Sequence, residues 1–242
     1  MSSASELAGR TALVTGGSGG IGGAIIHAMQ QAGAVAASLD LAPPADEDIP
    51  WLQCDICSDS SVSSAVQQFF AQHGRLDLVV HAAGISREAV VWKLAVEDWD
   101  RIQAVNLRGA FLLLRHSIPS MRQGQGGRVV LIGSINGSRG KFGTSAYSAS
   151  KAGLIGLAKS VARETGRFGI LVNVIEPGWV RTPLTEALPK EIQQAAEAES
   201  VLGSLLDVSD VASAVLFLCG PGASRITGQI LRVDAGQFLG GT

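Results

Sequence analysis

Short apolar runs rich in β-branched residues alternate with stretches of helical periodicity along almost the whole chain, and this alternation constrains the fold more than any other feature. The runs are Thr11 to Thr15, Val35 to Asp40, Trp51 to Cys54, Leu76 to His81, Arg128 to Gly133, Ile170 to Ile175 and Gln229 to Val233. Each has the length and composition of a strand buried on both faces. Between them, Ile21, Ile25, Ala28, Met29 and Ala32 share one helical face, as do Val62, Ala65, Val66, Phe69 and Phe70. Longer helical stretches run from about Val96 to Met121, from Ser145 to Phe168 and from Asp207 to Leu218. Such alternation requires right-handed crossovers and a parallel sheet covered on both faces. The expectation is an α/β fold, a single doubly wound Rossmann-type domain of about seven parallel strands over residues 1–242, with no repeat and no dividing linker.

Charge narrows the function classes. Lys+Arg total 19 against 21 Asp+Glu, a formal net charge of -2, so the excess of cations that drives nucleic-acid binding is missing. No apolar stretch is long enough for a membrane span, and the N-terminal segment has neither the basic nor the apolar region of a signal peptide. A cytoplasmic protein without nucleic-acid or membrane partners is expected. The chain has three cysteines. Cys54 and Cys57 form a CxxC, but Cys219 is remote and no paired histidines complete a zinc site, so no metal is expected.

The turn after the first strand reads TGGSGGIG, residues 15 to 22. Gly16, Gly20 and Gly22 let backbone amides and a helix N-terminus approach a pyrophosphate, although such glycines also close strand-to-helix turns for packing alone. The second strand ends at Asp40, whose carboxylate suits the two hydroxyls of an adenosine ribose and repels a 2'-phosphate. Neither Gly19 nor Leu41 is basic, which favours NAD over NADP. A plain strand-end turn is the other reading of Asp40.

The only tyrosine of the chain lies in AYSASKAG. Tyr147 and Lys151 are four apart on the expected helix, so their side chains share a face, and an ammonium beside a phenol favours phenolate. That would make Tyr147 a proton donor or acceptor near neutral pH. Ser134 follows the strand ending at Gly133, at the carboxyl end where open α/β sheets bind ligands.

With these residues in place, the chain resembles the short-chain dehydrogenases/reductases over nearly its full length. The family's glycine motif matches Thr15 to Gly22, with Ser18 and Ile21 inside it. Its Tyr-x3-Lys matches Tyr147 to Lys151, its serine Ser134, and its catalytic asparagine Asn106. Its Pro-Gly turn matches Pro177 and Gly178, followed by Val180 and by Thr182, which in the family contacts the nicotinamide carboxamide. Asp55, with Ile56 beside it, corresponds to the residue that meets the adenine amine. Where the family usually reads Asn-Asn-Ala-Gly, this chain has His81, Ala82, Ala83 and Gly84, and His81 is expected to replace a buried hydrogen bond. The resemblance implies hydride transfer between nicotinamide and a carbonyl or carbinol carbon. Tyr147 would be acid or base, Lys151 would lower its pKa and bind the nicotinamide ribose, Ser134 would position the substrate oxygen, and Asn106 would hold a water.

Within the family, GISREAVVWKL and SINGSRGKFGTSAYSASKAGL resemble segments of 3-oxoacyl-thioester reductases. PGWVRTPLTEALPKE implies a mobile substrate lid carrying Trp179, Leu184 and Leu188. Carrier-protein reductases dock their partner through two basic residues near the mouth of the site. Arg128 matches one; the other position holds Phe168, with Arg167 before it, so an acyl carrier protein stays open as a partner. An NAD(H)-dependent 3-oxoacyl-thioester reductase is the leading reading. A polyol, cyclic-diol or secondary-alcohol dehydrogenase is the second, and a non-enzymatic cofactor-sensing domain the third. The resemblance also implies a homotetramer, with a dimer as the alternative; the tail Gly240, Gly241 and Thr242 is read either as part of that assembly or as loose.

Overall fold

The computed structural model describes residues 6–124, 126–187 and 189–239. Within them the chain forms one parallel sheet of order β3-β2-β1-β4-β5-β6-β7. The strands are β1 (Thr11–Thr15), β2 (Val35–Asp40), β3 (Trp51–Gln53), β4 (Leu78–His81), β5 (Gly127–Ile132), β6 (Ile170–Pro177) and β7 (Ile230–Val233). The doubly wound sheet of the sequence reading is present, with boundaries moved by a few residues. One expectation is corrected. β3 and β7 are only partly buried, because they are the two edges and each lacks a neighbour on one side.

Side chains alternate across the sheet with period two. Leu13, Val79, Val129, Leu131, Val172 and Val174 enter one core. Ala12, Val14, Leu78, Val80, Val130, Ile132 and Ile175 enter the other. The first core is roofed by α2 (Asp59–His73), α4 (Gly109–Gln123) and α6 (Ser145–Thr165). The second is closed by α1 (Gly20–Gln31) and α9 (Val208–Cys219). Helix ends follow local chemistry: the Ser58 hydroxyl accepts from the Ser61 amide at the start of α2, and Gly74 ends that helix in the left-handed region.

The stretch expected as one helix from Val96 to Met121 is interrupted. α3 (Val96–Gln103) passes into a π-helical turn at Ala104–Arg108 before α4 begins. Three short helices were not foreseen: α5 (Ile135–Arg139), α7 (Pro183–Glu186) and α8 (Lys190–Ala198). β1 and β4 are adjacent while their connections run to opposite sides, so a crevice opens at their carboxyl ends. No helix among the described residues is long and apolar enough to cross a membrane.

Candidate active site

The glycine turn lies in that crevice. Gly16 has φ +71°, and a side chain there would sit 2.7 Å from the Ala83 amide nitrogen. One at Gly22 would run into the Gly16 carbonyl. Gly17, which the motif leaves free, is equally closed, since a Cβ would lie 2.5 Å from the Ser38 hydroxyl and 2.6 Å from Ile26. The absence of side chains thus lets the turn pack directly against the loop after β4, β2 and the start of α1. α1 starts after Gly19 with no side-chain cap and no acidic residue in its first turn, which leaves the amides of Gly20 and Ile21 to an anion. Gly20 is covered by Thr182, at 3.3 Å from the position a Cβ would take.

Asp40 closes the far side of this turn. Its carboxylate accepts from the Ser18 amide at 3.1 Å and from the Leu41 amide at 2.8 Å, while the Ser18 hydroxyl donates to the Ala42 carbonyl at 2.7 Å. Asp55 is exposed beyond β3 and accepts from the Cys57 amide at 2.9 Å. Ile56 packs where a side chain at Gly109 would stand, so it joins the strand end to the start of α4. The cysteines are free, and burial pushes Cys54 up to about 11 and Cys219 to about 12. Among the described residues no group of three His, Cys, Asp or Glu is placed to hold a metal.

Ser134 follows β5 and caps α5, its hydroxyl accepting from the Asn136 amide at 3.1 Å. The same hydroxyl is close enough to the Tyr147 phenol to favour its ionised form. Lys151 lies one turn further on α6, its ammonium 5.6 Å from the Tyr147 ring and donating to the Ile132 carbonyl at 2.8 Å. The expectation that Lys151 depresses the phenol is corrected. Burial raises Tyr147 and the Ser134 hydrogen bond only partly offsets it. Burial also brings Lys151 itself down to about 8, since neither the phenolate nor the ammonium is well solvated there.

Asn106 lies inside the π-helical turn and is fully buried. Its amide exchanges two hydrogen bonds with the Ile85 backbone, at 2.8 and 3.0 Å, and donates to the Ser150 hydroxyl at 3.0 Å. Ser150 in turn donates to the Tyr147 carbonyl at 2.7 Å. Gly84 fits between: a side chain there would stand 3.2 Å from the Lys151 ammonium and 3.5 Å from the Asn106 oxygen. Sequence reading missed Ser150, whose position one before Lys151 is its only signal.

His81 is fully buried at the end of β4. Its Nε2 lies 3.1 Å from the Asn106 carbonyl, which can only accept, so Nε2 carries the proton. Nδ1 is then an acceptor of the hydrogen bond that the Thr15 hydroxyl donates at 3.0 Å, while Thr15 Oγ1 accepts from the Ala83 amide at 3.2 Å. Burial, with the Lys151 charge adding to it, holds His81 down at about 3. The neutral ring is a fully satisfied link between β1, the loop after β4 and the Asn106 turn.

β6 delivers Pro177 and Gly178, after which the chain leaves the sheet and returns at α9. Val180 is buried, and Thr182 caps α7 through a reciprocal pair of bonds with Thr185. Trp179 stacks on the Lys141 ammonium at 4.8 Å. The Leu184 side chain, Leu188, and the tail Gly240 to Thr242 lie outside the described residues. Arg128 is not at the mouth of the site. It opens β5, at the end opposite Ser134, with its guanidinium half-buried and donating to the Gly127 carbonyl at 3.0 Å. Arg167 and Phe168 lie at that same far end, just before β6, where the Arg167 guanidinium packs 4.7 Å from the Phe168 ring.

Comparison with known proteins agrees with this geometry. A family model described as enoyl-(acyl carrier protein) reductase matches residues 16–237. The acetoacetyl-CoA reductase of Acinetobacter sp. (strain RA3849) is 34% identical, over 95% of this chain and 98% of that protein. The 3-oxoacyl-[acyl-carrier-protein] reductase of Escherichia coli (strain K12) is 34% identical over 96% of this chain and 98% of its own. Among solved structures, the aldohexose dehydrogenase of Thermoplasma acidophilum superposes with a TM-score of 0.93 at 29% identity, covering 97% of this chain and 96% of that one. With a matching model over nearly all of its length and relatives that share its fold end to end, the chain belongs to the short-chain dehydrogenase/reductase family of oxidoreductases acting on CH–OH groups.

Proposed function

We propose that the protein is an NAD(H)-dependent reductase of 3-oxoacyl thioesters, linked to CoA or to a carrier protein, with oxidation of the corresponding 3-hydroxyacyl thioester as the reverse reaction. The reaction class rests on one observation: Ser134 follows β5 at its carboxyl end, where its hydroxyl acts on the Tyr147 phenol, with Lys151 one helical turn away and 5.6 Å from the phenol ring. The substrate class is carried over from the acetoacetyl-CoA and 3-oxoacyl relatives.

The residues present fit a nicotinamide dinucleotide. Gly16 and Gly22 leave no room for a Cβ, so the turn packs tightly on the loop after β4 and on itself beside the uncapped amides of α1, where Gly16, Ser18, Gly20, Ile21 and Gly22 would hold the pyrophosphate. Asp40 would take the adenosine ribose, Asp55 and Ile56 the adenine, and Ala82, Ala83 and Gly84 would wall the crevice. Pro177, Gly178, Val180 and Thr182 would flank the nicotinamide. When bound, the cofactor supplies or accepts a hydride. The protein's part is to hold the carbonyl oxygen between Ser134 and Tyr147 and to deliver a proton to it from the Tyr147 hydroxyl, or to remove one in the reverse direction. Lys151, whose pKa of about 8 lets it exchange protons near neutral pH, would replenish that proton. Asn106 would keep the exit open toward a water. The carboxylate of Asp40, with no basic neighbour at Gly19 or Leu41, supports NAD over NADP.

A second reading, a polyol or secondary-alcohol dehydrogenase, is favoured by the close superposition on an aldohexose dehydrogenase. We take residues 1–242 as one catalytic unit, cytoplasmic, and assembling as a homotetramer or dimer. Exposed Phe111 on α4 and Phe217 on α9 support self-association. The deciding assay follows nicotinamide absorbance with acetoacetyl-CoA and either NADH or NADPH. Oxidation of NADH in clear preference is the expected result. Preference for NADPH would overturn the Asp40 argument, and a protein that binds NADH yet oxidises only sugars or secondary alcohols would establish the second reading.

A further inference from the structure

The excursion between β6 and α9 is closed at its base by backbone bonds. The Arg181 amide donates to the Leu206 carbonyl at 2.7 Å and the Leu206 amide to the Trp179 carbonyl at 3.0 Å. Its outer part is fastened differently. Gln237, in the turn after β7, is 2% exposed. Its Oε1 accepts from the Trp179 amide and its Nε2 donates to the Ala196 carbonyl at 2.8 Å. One carboxamide thus joins the start of the excursion to the end of α8. Only this amide orientation satisfies both partners, since a flip would set donor against donor and acceptor against acceptor.

The turn carrying Gln237 is itself rigidly made. Asp234 accepts from the Gly236 amide at 2.9 Å and the Phe238 amide at 2.8 Å. Arg139, in the helix that follows Ser134, donates to the Gln237 carbonyl at 3.0 Å and to Glu199 beyond α8 at 2.9 Å. The Ser200 hydroxyl donates to the Ala235 carbonyl at 3.0 Å. Gly178 is the near wall of the same arrangement, because a side chain there would strike Gln237 Oε1 and the Asp234 backbone. The excursion that places Thr182 over Gly20 therefore has its position set by the C-terminal turn.

We infer that Gln237 is a positioning residue for the substrate lid. It holds Trp179 and α8 in one arrangement over the crevice and so governs substrate affinity, with Arg139 as a second brace. The kinetic part of this inference rests on the oxidoreductase reading above; the structural part does not. Gln237→Met keeps the volume and removes both hydrogen bonds. In hydrogen–deuterium exchange on the full-length protein, segments 179–182 and 190–200 of that variant should exchange about tenfold faster than wild type, while β1, β4 and β5 are unchanged. On whichever substrate the wild type turns over, KM should rise by about tenfold with kcat altered less than about twofold. Gln237→Glu can replace both bonds only when its carboxyl is protonated, so lid protection in that variant should return as pH is lowered. Arg139→Ala, a change at a more exposed side chain, should loosen segment 190–200 in the same direction and less. Unchanged exchange in both segments, a uniform rise over the whole chain, or a fall in kcat at constant KM would each overturn the inference. A wild type inert toward thioesters would refute the substrate reading alone, and the exchange comparison would still decide the role of Gln237.

Discussion

Tyr147 carries the proton in the proposed chemistry, and its surroundings oppose ionisation: burial raises the phenol and Ser134 returns only part of that shift. Its work is then to donate from the neutral form and recover a proton from Lys151, itself brought by burial to about 8. Tyr147→Phe removes the proton and leaves the ring in place. Turnover should fall by roughly 10²- to 10⁴-fold, with a melting temperature near that of wild type, read from steady-state rates and thermal unfolding of the same preparation. Retention of more than about a tenth of the wild-type rate would contradict a general acid at this position. Tyr147, Lys151, Ser134 and the glycine turn were legible because each belongs to a fixed spacing within a short piece of chain. Ser150 and Gln237 became informative only in space, whereas His81 is legible in the sequence as the replacement of a buried hydrogen bond and only its partners needed the structure. His81 reaches Thr15 and Asn106, and Gln237 reaches Trp179 and Ala196. Those partners are distant in sequence, and nothing in a linear pattern pairs them.

The π-helical turn at Ala104–Arg108 shows what an element can do that its periodicity hides. Apolar spacing from Val96 to Met121 reads as one helix, and the extra residue per turn that points Asn106 inward leaves no mark on that spacing. Asn106 is kept there by Ile85 on one side and Ser150 on the other. Ser150→Ala leaves one buried Asn106 N–H without that partner, at a cost of about 1–3 kcal/mol, and frees the asparagine to turn from Lys151. The expected outcome is a lower denaturation midpoint together with a several-fold loss of kcat; Ser150→Thr, which keeps the hydroxyl, should restore part of both. A stability loss with full kcat would show that the turn supports the fold and not the site. The short helices α5, α7 and α8 escaped sequence reading for another reason. Each is fixed by caps and distant partners, such as Ser134 on the Asn136 amide and Gln237 on the Ala196 carbonyl, and not by a long apolar face.

At the scale of the whole molecule, two buried titratable groups tie the central strands together at opposite ends, and both make acid the weak side of the fold. Asp77 lies at the amino ends of β1 and β4. Burial alone would raise it, but hydrogen bonds from Arg75, the Thr11 amide and Arg10 overcome that and leave it below its usual 3.8. Its contribution is present above 3.8 and is lost as pH falls toward the folded value. His81, at the carboxyl ends, acts earlier. Its folded pKa is depressed from 6.5 to about 3, so between those values the unfolded chain binds a proton that the native protein does not. Stability must therefore begin to decline as pH drops through 6.5, before the carboxylates are protonated, and continue declining to about 3. His81→Asn removes the titrating ring while an amide can still donate toward the Asn106 carbonyl. Denaturation midpoints measured from pH 7.5 to pH 4 should slope downward in wild type and run nearly flat to about pH 5 in the variant. At neutral pH the variant should lose no more than about 1–2 kcal/mol, the scale of one imperfectly replaced buried hydrogen bond. Parallel slopes in the two proteins would mean that the acid limb is set elsewhere, and that the histidine contributes only the link between Thr15 and the Asn106 turn.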